Sequence, residues 1–313
     1  MYKKILASGL TVSMLLVGLN NANAEENQIT EKTLTEGADL NQQQEKQTRD
    51  LFDVNSNVRT YKVDSEDVQH YTGKWYDTIY SSTYIEPKKF RHGVDVEIVT
   101  PDNITDVSKE QYRNAAITAG IQDANIKVGA VVETLGYGAL SGIYKAYEKE
   151  GSALNEQDIK NADDEMKELS SISKNNNEEE FSDEALNNSV AEMKQEIAKE
   201  KANDNNLSRQ DVENIVDDKL KENGLNKVLS DNQINSIYNI MNNVSNSKVL
   251  NQDPKAYEQQ AKKLSSDIKD KAGGLIEKAK GLNTEENRNI LQKIWDAIVD
   301  FVNWLVNLIK SLF

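Results

Sequence analysis

The chain has 313 residues, a formal net charge of −15, no cysteine and only two histidines. Without cysteine it has no disulfide, no thiol nucleophile and no Cys-ligated zinc or iron–sulfur centre, and two histidines are too few for a three-histidine metal site. An acidic chain repels phosphate backbones, so we expect no nucleic-acid partner. We also expect no metal and no cofactor.

The first 24 residues predict a secretory signal peptide. Lys3 and Lys4 form a short positive region, residues 5–19 are mostly apolar, and Ala22 and Ala24 supply the small residues of a cleavage site. The alternative, an uncleaved membrane anchor, needs about 20 apolar residues, and this apolar core is shorter. We therefore expect cleavage after Ala24 and an extracytoplasmic protein that is secreted or associated with the cell envelope.

Composition divides the mature chain into four parts. Residues 25–57 are rich in Glu, Gln, Thr and Asn, which predicts a flexible N-terminal segment. Residues 58–150 hold nine of the twelve tyrosines, which indicates a packed domain. Residues 151–282 form an acidic region with helical periodicity, and residues 283–313 form a separate C-terminal helix.

The Tyr-rich part predicts a small domain of order β-β-α-β-α. Alternation and turn residues indicate strands over 77–85 and 94–100, and a run rich in Ile and Val indicates a third over 125–133. Ser108 with Gln111 predicts the start of a helix that ends at Gly120, and a second helix covers 136–148. The fold class is therefore α+β or α/β, with helices packed on a sheet.

The acidic region predicts several helices whose apolar residues recur every three or four positions in narrow stripes. Such helices suit a loose bundle or a coiled-coil-like hairpin. The last of them should stop at the pair Gly273-Gly274. The predicted starts carry capping residues at Ser182, Ser208, Ser230 and the pair Asp253-Pro254.

Four segments of the Tyr-rich part carry a family resemblance. They are YSSTYIEP at 80–87, VTPDNIT at 99–105, NAAITAGI at 114–121 and GALSGIYKA at 138–146. In this order they resemble the YpuA-like family of secreted Gram-positive proteins, domain-of-unknown-function family 1002. The resemblance implies an extracytoplasmic protein with a signal peptide, and it implies no particular activity. Tyr137 stands where the family usually has an acid, which argues against a charge-based role for that loop.

Several polar residues are candidate catalytic groups, but their surroundings argue against that role. Ser81 and Ser82 lack the activating motifs of a serine nucleophile. Glu86, Asp95 and Glu97 could imitate the paired carboxylates of a glycosidase, but the alternation of the second strand makes Asp95 and Glu97 its solvent-facing side. We therefore name no catalytic residue, and we favour a non-enzymatic protein while leaving the question open.

An aromatic platform is the better candidate for ligand binding. Trp75 and three tyrosines could form it. Tyr76, Tyr80 and Tyr84 have even spacing, so on one strand they would point to the same side, with Glu86 as a polar neighbour. Such a face could bind a glycan or a peptide. Packing in the core is the competing explanation for the same residues.

The C-terminal segment predicts an amphipathic helix with a very wide apolar face. Asp296 and Asp300 offset most of the free energy that its apolar residues would gain by spanning a bilayer, whereas a helix lying in the interface leaves both in water. Burial in the protein's own bundle or in a homo-oligomer is one alternative, and a membrane-spanning or pore-like helix is another. The residues expected to contact a membrane or a partner are Trp295, Ile298, Phe301, Val302, Trp304, Leu305, Leu308, Ile309 and Phe313.

Two functional hypotheses follow from these features. The first is an exported, non-enzymatic envelope protein attached to a membrane surface, or to copies of itself, through residues 289–313. The second is a secreted protein that binds or hydrolyses cell-wall glycan or peptide through the Tyr-rich face of its α/β domain.

Overall fold

The computed structural model describes residues 28–54, 57–88, 93–152, 154–176, 181–203 and 206–282. The predicted signal peptide and the predicted helix over 283–313 lie outside these residues. The strands are β1 (Thr33–Gly37), β2 (Arg59–Val63), β3 (Ser82–Pro87), β4 (Asp95–Ile98) and β5 (Ala124–Gly129). The helices are α1 (Gln42–Leu51), α2 (Ser65–Thr72), α3 (Lys109–Thr118), α4 (Tyr137–Lys149), α5 (Glu156–Asn175), α6 (Asp183–Ala202), α7 (Arg209–Glu222), α8 (Asp231–Ser245), α9 (Lys248–Gln252) and α10 (Pro254–Leu282).

The strands form one mixed sheet in the order β2-β1-β3-β5-β4. β1 pairs with β2 in parallel, and β4 pairs with β5 in parallel, so each pair encloses a helical crossover. β3 lies between the two units and is antiparallel to both β1 and β5. The predicted α+β class is confirmed, and the five predicted elements occur in the order β3-β4-α3-β5-α4, but the prediction omitted β2 and α2, which precede them in the same part of the chain.

The prediction of a flexible segment over 25–57 is wrong for the part that the structure describes. β1 lies inside the sheet with a neighbour on each side, and all five of its residues are buried. α1 follows, with Asn41 and Gln44 in a capping box. Composition missed this segment because β1 is short and polar, and part of its cover, such as Tyr84, comes from far along the chain.

Strand boundaries also differ from the predictions. β3 begins at Ser82 rather than at residue 77, and β5 ends at Gly129 rather than at residue 133. In the first case the chain over 74–81 runs as a loop whose backbone is held by hydrogen bonds to other elements, such as that from Ile79 N to Asp39 Oδ2. Helix starts were predicted more accurately, because a capping side chain is a local signal. Side chains of Ser108, Ser182, Ser208 and Ser230 cap α3, α6, α7 and α8 respectively.

α3 lies between the sheet and the helical region. Ala115 and Ala116 belong to the core beneath the sheet, whereas Ile117 belongs to the core of the helical region. α6 is the central helix of that region and buries polar residues such as Asn188 and Lys194 as well as its predicted stripe. The helices therefore surround one shared core, as in the predicted bundle, and do not form a coiled-coil-like hairpin.

The predicted stop at Gly273-Gly274 is wrong, because α10 continues through both glycines to Leu282. Each glycine inside a helix costs about 1 kcal/mol relative to alanine. Ala272 and Ile276 on either side are buried, and their packing offsets that cost. None of the helices described between residues 28 and 282 is long and apolar enough to cross a membrane.

Candidate functional site

A cleft of about 410 Å³ lies where the loop before β3 meets the start of α4. Three tyrosines line it, so we call it the tyrosine cleft. Its residues are Tyr76, Asp77, Thr78, Ile79, Tyr80, Ser81, Thr105, Glu133, Thr134, Leu135, Gly136, Tyr137 and Gly138. A cleft of this size accommodates a small ligand.

Two of these tyrosines form an aromatic stack. The ring centroids of Tyr76 and Tyr137 are 6.1 Å apart, and the ring planes are inclined by 28°. Nζ of Lys167 lies 5.7 Å and 5.9 Å from the two centroids, within range of a cation–π interaction. The hydroxyl groups of Tyr137 and Ser170 are 3.0 Å apart and hydrogen-bonded. Burial, followed by the charge of Asp163, raises the pKa of Tyr76 to about 12.

An ion pair beneath the stack fixes the position of Lys167. Its Nζ lies 2.5 Å from Oδ2 of Asp163, and both side chains are largely buried. Burial lowers the pKa of Lys167 and raises the pKa of Asp163, because each charge is held away from water. The lysine therefore reaches the tyrosines from α5 with its charge already paired.

The loop that carries Tyr76 and Tyr80 is held closely against β1. A Cβ atom on Gly37 would lie 2.1 Å from the carbonyl oxygen of Ile79, so only glycine permits this approach. The backbone N–H of Ile79 donates to Asp39 Oδ2 at 2.7 Å, and the Ser65 hydroxyl donates to the carbonyl of Tyr76. These contacts place the loop without help from a ligand.

The opposite wall is held with similar precision. Gly136 has φ of +93°, a conformation that favours glycine, and its carbonyl accepts a hydrogen bond of 2.6 Å from the Tyr112 hydroxyl. Thr134 is bridged to residues 103–105: its N–H donates to the carbonyl of Asn103, and its carbonyl accepts from the N–H of Thr105. The start of α4 is therefore a rigid part of the cleft.

The floor of the cleft carries hydrogen-bonding groups that lack partners. No side chain caps the start of α4, and the N–H groups of Tyr137 and Gly138 make no hydrogen bond to any residue that the structure describes. Ser81 is only 3% exposed, and its hydroxyl also has no partner within the described residues. A Cβ atom on Gly138 would lie 3.1 Å from Ser81 Oγ, so the hydroxyl adjoins the helix start.

Exposed apolar side chains lie at the rim. Trp75 is 55% exposed and donates from Nε1 to Asp77 Oδ1 at 3.1 Å, and Leu135 is 46% exposed. Within the described residues, one other large hydrophobic side chain, Leu275 in α10, is exposed to a similar degree. Of these three exposed hydrophobic residues, Leu135 lines the cleft and Trp75 is hydrogen-bonded to Asp77, which also lines it.

The structure brings together only part of the predicted tyrosine face. Tyr76 and Tyr80 line the cleft, but β3 begins after them, so the premise of one strand carrying all three tyrosines is wrong. Tyr84 is buried, and its ring stacks on Phe52 in a small cluster away from the cleft. Glu86 is half-buried and pairs with Lys32 at 2.5 Å.

Of the two acidic residues of the second predicted strand, Glu97 is exposed, as expected, whereas Asp95 is held in ion pairs away from the cleft. Asp95 Oδ2 lies 2.5 Å from Lys88 Nζ, and Oδ1 lies 3.0 Å from Lys263 Nζ and 3.2 Å from Arg113. Burial opposes the charge of Asp95, but hydrogen bonds from Lys88 and Lys263 outweigh it and lower the pKa of this carboxyl group. Asp95 therefore joins β4 to α3 and α10.

Two further depressions lie outside the cleft. One has about 390 Å³ and is lined by His70, Tyr71, Tyr144, Glu148, Leu154, Glu156 and Ile159. The other has about 640 Å³ and lies between α6 and α7, lined by Glu196, Glu200, Asn206, Leu207, Asp211, Asn214, Ile215, Asp218, Lys219 and Glu222. Across the described ranges, no group of three or more His, Asp or Glu side chains could hold a metal ion.

Sequence reasoning missed Tyr137, Leu135 and Ser81 as members of the cleft. The glycines at 136 and 138 were the available signal, but on their own they indicate close packing as readily as a ligand. Three of the four segments that carry the family resemblance supply cleft residues: Tyr80 and Ser81, then Thr105, then Gly138.

The fold and the cleft define a class of α+β protein with a tyrosine-lined cleft at the start of a helix. The chain belongs to the family described as "Protein of unknown function (DUF1002)", whose profile matches residues 36–264. It is similar to the protein named "Uncharacterized protein YpuA" of Bacillus subtilis (strain 168), with 29% identity over 315 residues, 98% of this chain and 100% of that protein. The resemblance predicted from four segments is thus confirmed. No solved structure matches the chain.

Proposed function

We propose that this chain is an exported, non-enzymatic protein of the cell envelope that binds wall glycan in the tyrosine cleft. In this proposal the signal peptide at 1–24 directs export, and the helix over 283–313 keeps the protein at a membrane surface. The folded part between them carries the binding site.

One observation carries the proposal: stacked and exposed aromatic rings meet at the tyrosine cleft. Exposed apolar side chains that cluster beside a cleft mark interaction sites more often than scattered ones do. The hydrogen bonds around Gly136 and Ile79 hold both walls in place, so little conformational entropy would be lost on binding.

A glycan fits this surface better than a peptide. The flat faces of aromatic rings pack against the C–H faces of sugar rings, and Trp75 offers such a face at the rim. Asp77 and Glu133 supply acceptors for sugar hydroxyl groups. The cleft lies away from the edge strands β2 and β4, where an extended peptide could add to the sheet.

Co-sedimentation with insoluble wall glycan, stripped of other polymers, tests binding. We expect the mature protein to sediment with the glycan, and Trp75→Ala combined with Leu135→Ser to release it. The matched control is Leu275→Ser. Leu275 is 55% exposed, as Trp75 is, but it lies far along the chain in α10. Equal sedimentation of the rim variant and the control would contradict the proposal, as would a soluble product released from the glycan.

Attachment by the C-terminal helix is tested separately, with liposomes. We expect the mature chain to bind vesicles through Trp295 and Trp304, whose rings suit the headgroup region. Replacing both with serine should reduce vesicle binding and leave glycan binding unchanged. If wild type stays in the supernatant and elutes as an oligomer that the double variant does not form, the helix serves self-association and the membrane part of the proposal fails.

A further inference from the structure

We propose that the floor of the tyrosine cleft recognises the acetamido group of an N-acetylated amino sugar. The inference rests on the proposed glycan-binding function and names the chemical group that is bound. The carbonyl oxygen of this group would accept hydrogen bonds from the N–H of Gly138 and the hydroxyl of Ser81.

The floor of the cleft has hydrogen-bond donors that find no acceptor among the described residues. The first N–H groups of a helix point out from its start and need a partner, and those of Tyr137 and Gly138 find none among the described residues. Ser81 is the second, independent observation, because a serine that is 97% buried normally has its hydroxyl hydrogen-bonded, and this hydroxyl has no partner among the described residues. Both sets of donors line one cleft and lie side by side.

Charge decides between a neutral acceptor and an anion. A helix start favours anions in general. Here Asp77 and Glu133 line the same cleft, and none of the described lining residues is a lysine or an arginine. The nearby Lys167 has its charge paired with Asp163. An anionic ligand would meet two carboxylates without a compensating cation, whereas a neutral carbonyl accepts the same hydrogen bonds without that repulsion.

The apolar surface of the cleft suits the rest of the acetamido group. Ile79 lines the floor beside Ser81 and is buried, so its side chain gives apolar contact to a methyl group. The Tyr76–Tyr137 stack and Trp75 are available to the faces of the sugar rings. An N-acetylated sugar has a carbonyl group, a methyl group and flat C–H faces. The cleft thus offers a matching contact for each of these features.

Isothermal titration of the mature protein compares two neutral β-1,4-linked tetrasaccharides, one of N-acetylglucosamine and one of glucose. The only difference is that acetamido groups replace hydroxyl groups. We expect the acetylated tetramer to bind at least 10-fold more tightly. Ser81→Ala should weaken that binding about 3- to 10-fold, as expected for one lost hydrogen bond, and should thereby narrow the preference over the glucose tetramer. Ser171→Ala, at an exposed serine of α5, is the matched control.

A second variant keeps the test independent of Ser81. Gly138→Ala places a methyl group 3.0 Å from Ile79 Cγ2 and 3.1 Å from Ser81 Oγ, which fills the floor. It should abolish the preference for the acetylated tetramer, and circular dichroism checks that it folds.

The outcomes separate this inference from the function on which it rests. Equal affinity for both tetramers, lost in the Trp75→Ala and Leu135→Ser variant, overturns the acetamido assignment and leaves glycan binding standing. Tighter binding of poly(glycerol phosphate) or of a wall stem peptide than of either tetramer also overturns it. If neither the tetramers nor intact wall glycan binds, the proposed function itself fails.

Discussion

Lys194 Nζ lies 2.5 Å from Glu165 Oε1, and neither side chain has any exposed surface. The ammonium group also donates to the backbone carbonyl of Asn114 at 2.8 Å, and the Thr118 hydroxyl donates to Glu165 Oε2 at 2.6 Å. Burial lowers the pKa of Lys194 although the glutamate opposes this. Because these residues come from α6, α5 and α3, the pair joins the helix that covers the sheet to the helical region.

Removing one partner of this pair should destabilise the whole protein. Lys194→Ala leaves the Glu165 charge buried without its cation, and we expect a loss of about 3–5 kcal/mol in the free energy of unfolding. Lys194→Met combined with Glu165→Leu removes both charges and should recover most of that loss. Urea unfolding monitored by circular dichroism measures both values. A double variant as unstable as Lys194→Ala would show that the pair does not act as a unit.

The close approach of the cleft loop to β1 predicts a glycine requirement. Gly37→Ala would place a Cβ atom 2.1 Å from the Ile79 carbonyl oxygen, so the loop must move. We expect a loss of about 1–3 kcal/mol in stability together with weaker glycan binding.

Gly273→Ala is the control for that substitution. Nothing lies within 4 Å of the added methyl group, and Gly273 is in the interior of α10. It should stabilise the protein by about 1 kcal/mol and leave binding unchanged. Thermal unfolding compares the two variants, and equal melting temperatures would contradict the account of how the loop is held.

The stacked environment of Tyr76 predicts a specific pH dependence. Burial raises its pKa from an ordinary value of 10.0 to about 12, so the folded state retains the proton when the unfolded chain has lost it. The resulting stabilisation is complete below pH 10 and is lost as the pH rises from 10 to 12. Between pH 9 and 11.5 the unfolding free energy of Tyr76→Phe should therefore fall less than that of wild type. Parallel curves would argue against a buried, protonated Tyr76.

Local signals in the sequence predicted local structure well. Ser108 and Ser230 were identified as helix caps because each hydroxyl accepts from the N–H three residues later. The residues that form such a cap therefore lie within four consecutive positions of the sequence. The fold class followed in the same way from alternation and spacing. The buried stripe of α6 followed from its period, because Val190 and Ile197 are both fully buried.

Long-range contacts decided what the sequence did not reveal. β1 is a strand because β2 and β3 flank it, although its own composition resembles that of a disordered segment. Tyr84 and Tyr76 have the spacing of one strand face, but hydrogen bonds to Asp39 and Ser65 hold Tyr76 in a loop. The sequence therefore predicted only part of the cleft. Tyr137 and Ser81 are distant in the sequence, and only the folded structure brings them to the same cleft.

Amide chemical shifts of the mature, ¹⁵N-labelled protein, titrated with the N-acetylglucosamine tetramer, test the central claim most directly. We predict that the perturbed signals cluster on the tyrosine cleft: the amides of Ser81, Leu135 and Gly138 and the indole N–H of Trp75. Perturbation confined to the depression around Tyr144 or to the groove between α6 and α7, or no perturbation at millimolar sugar, would contradict it.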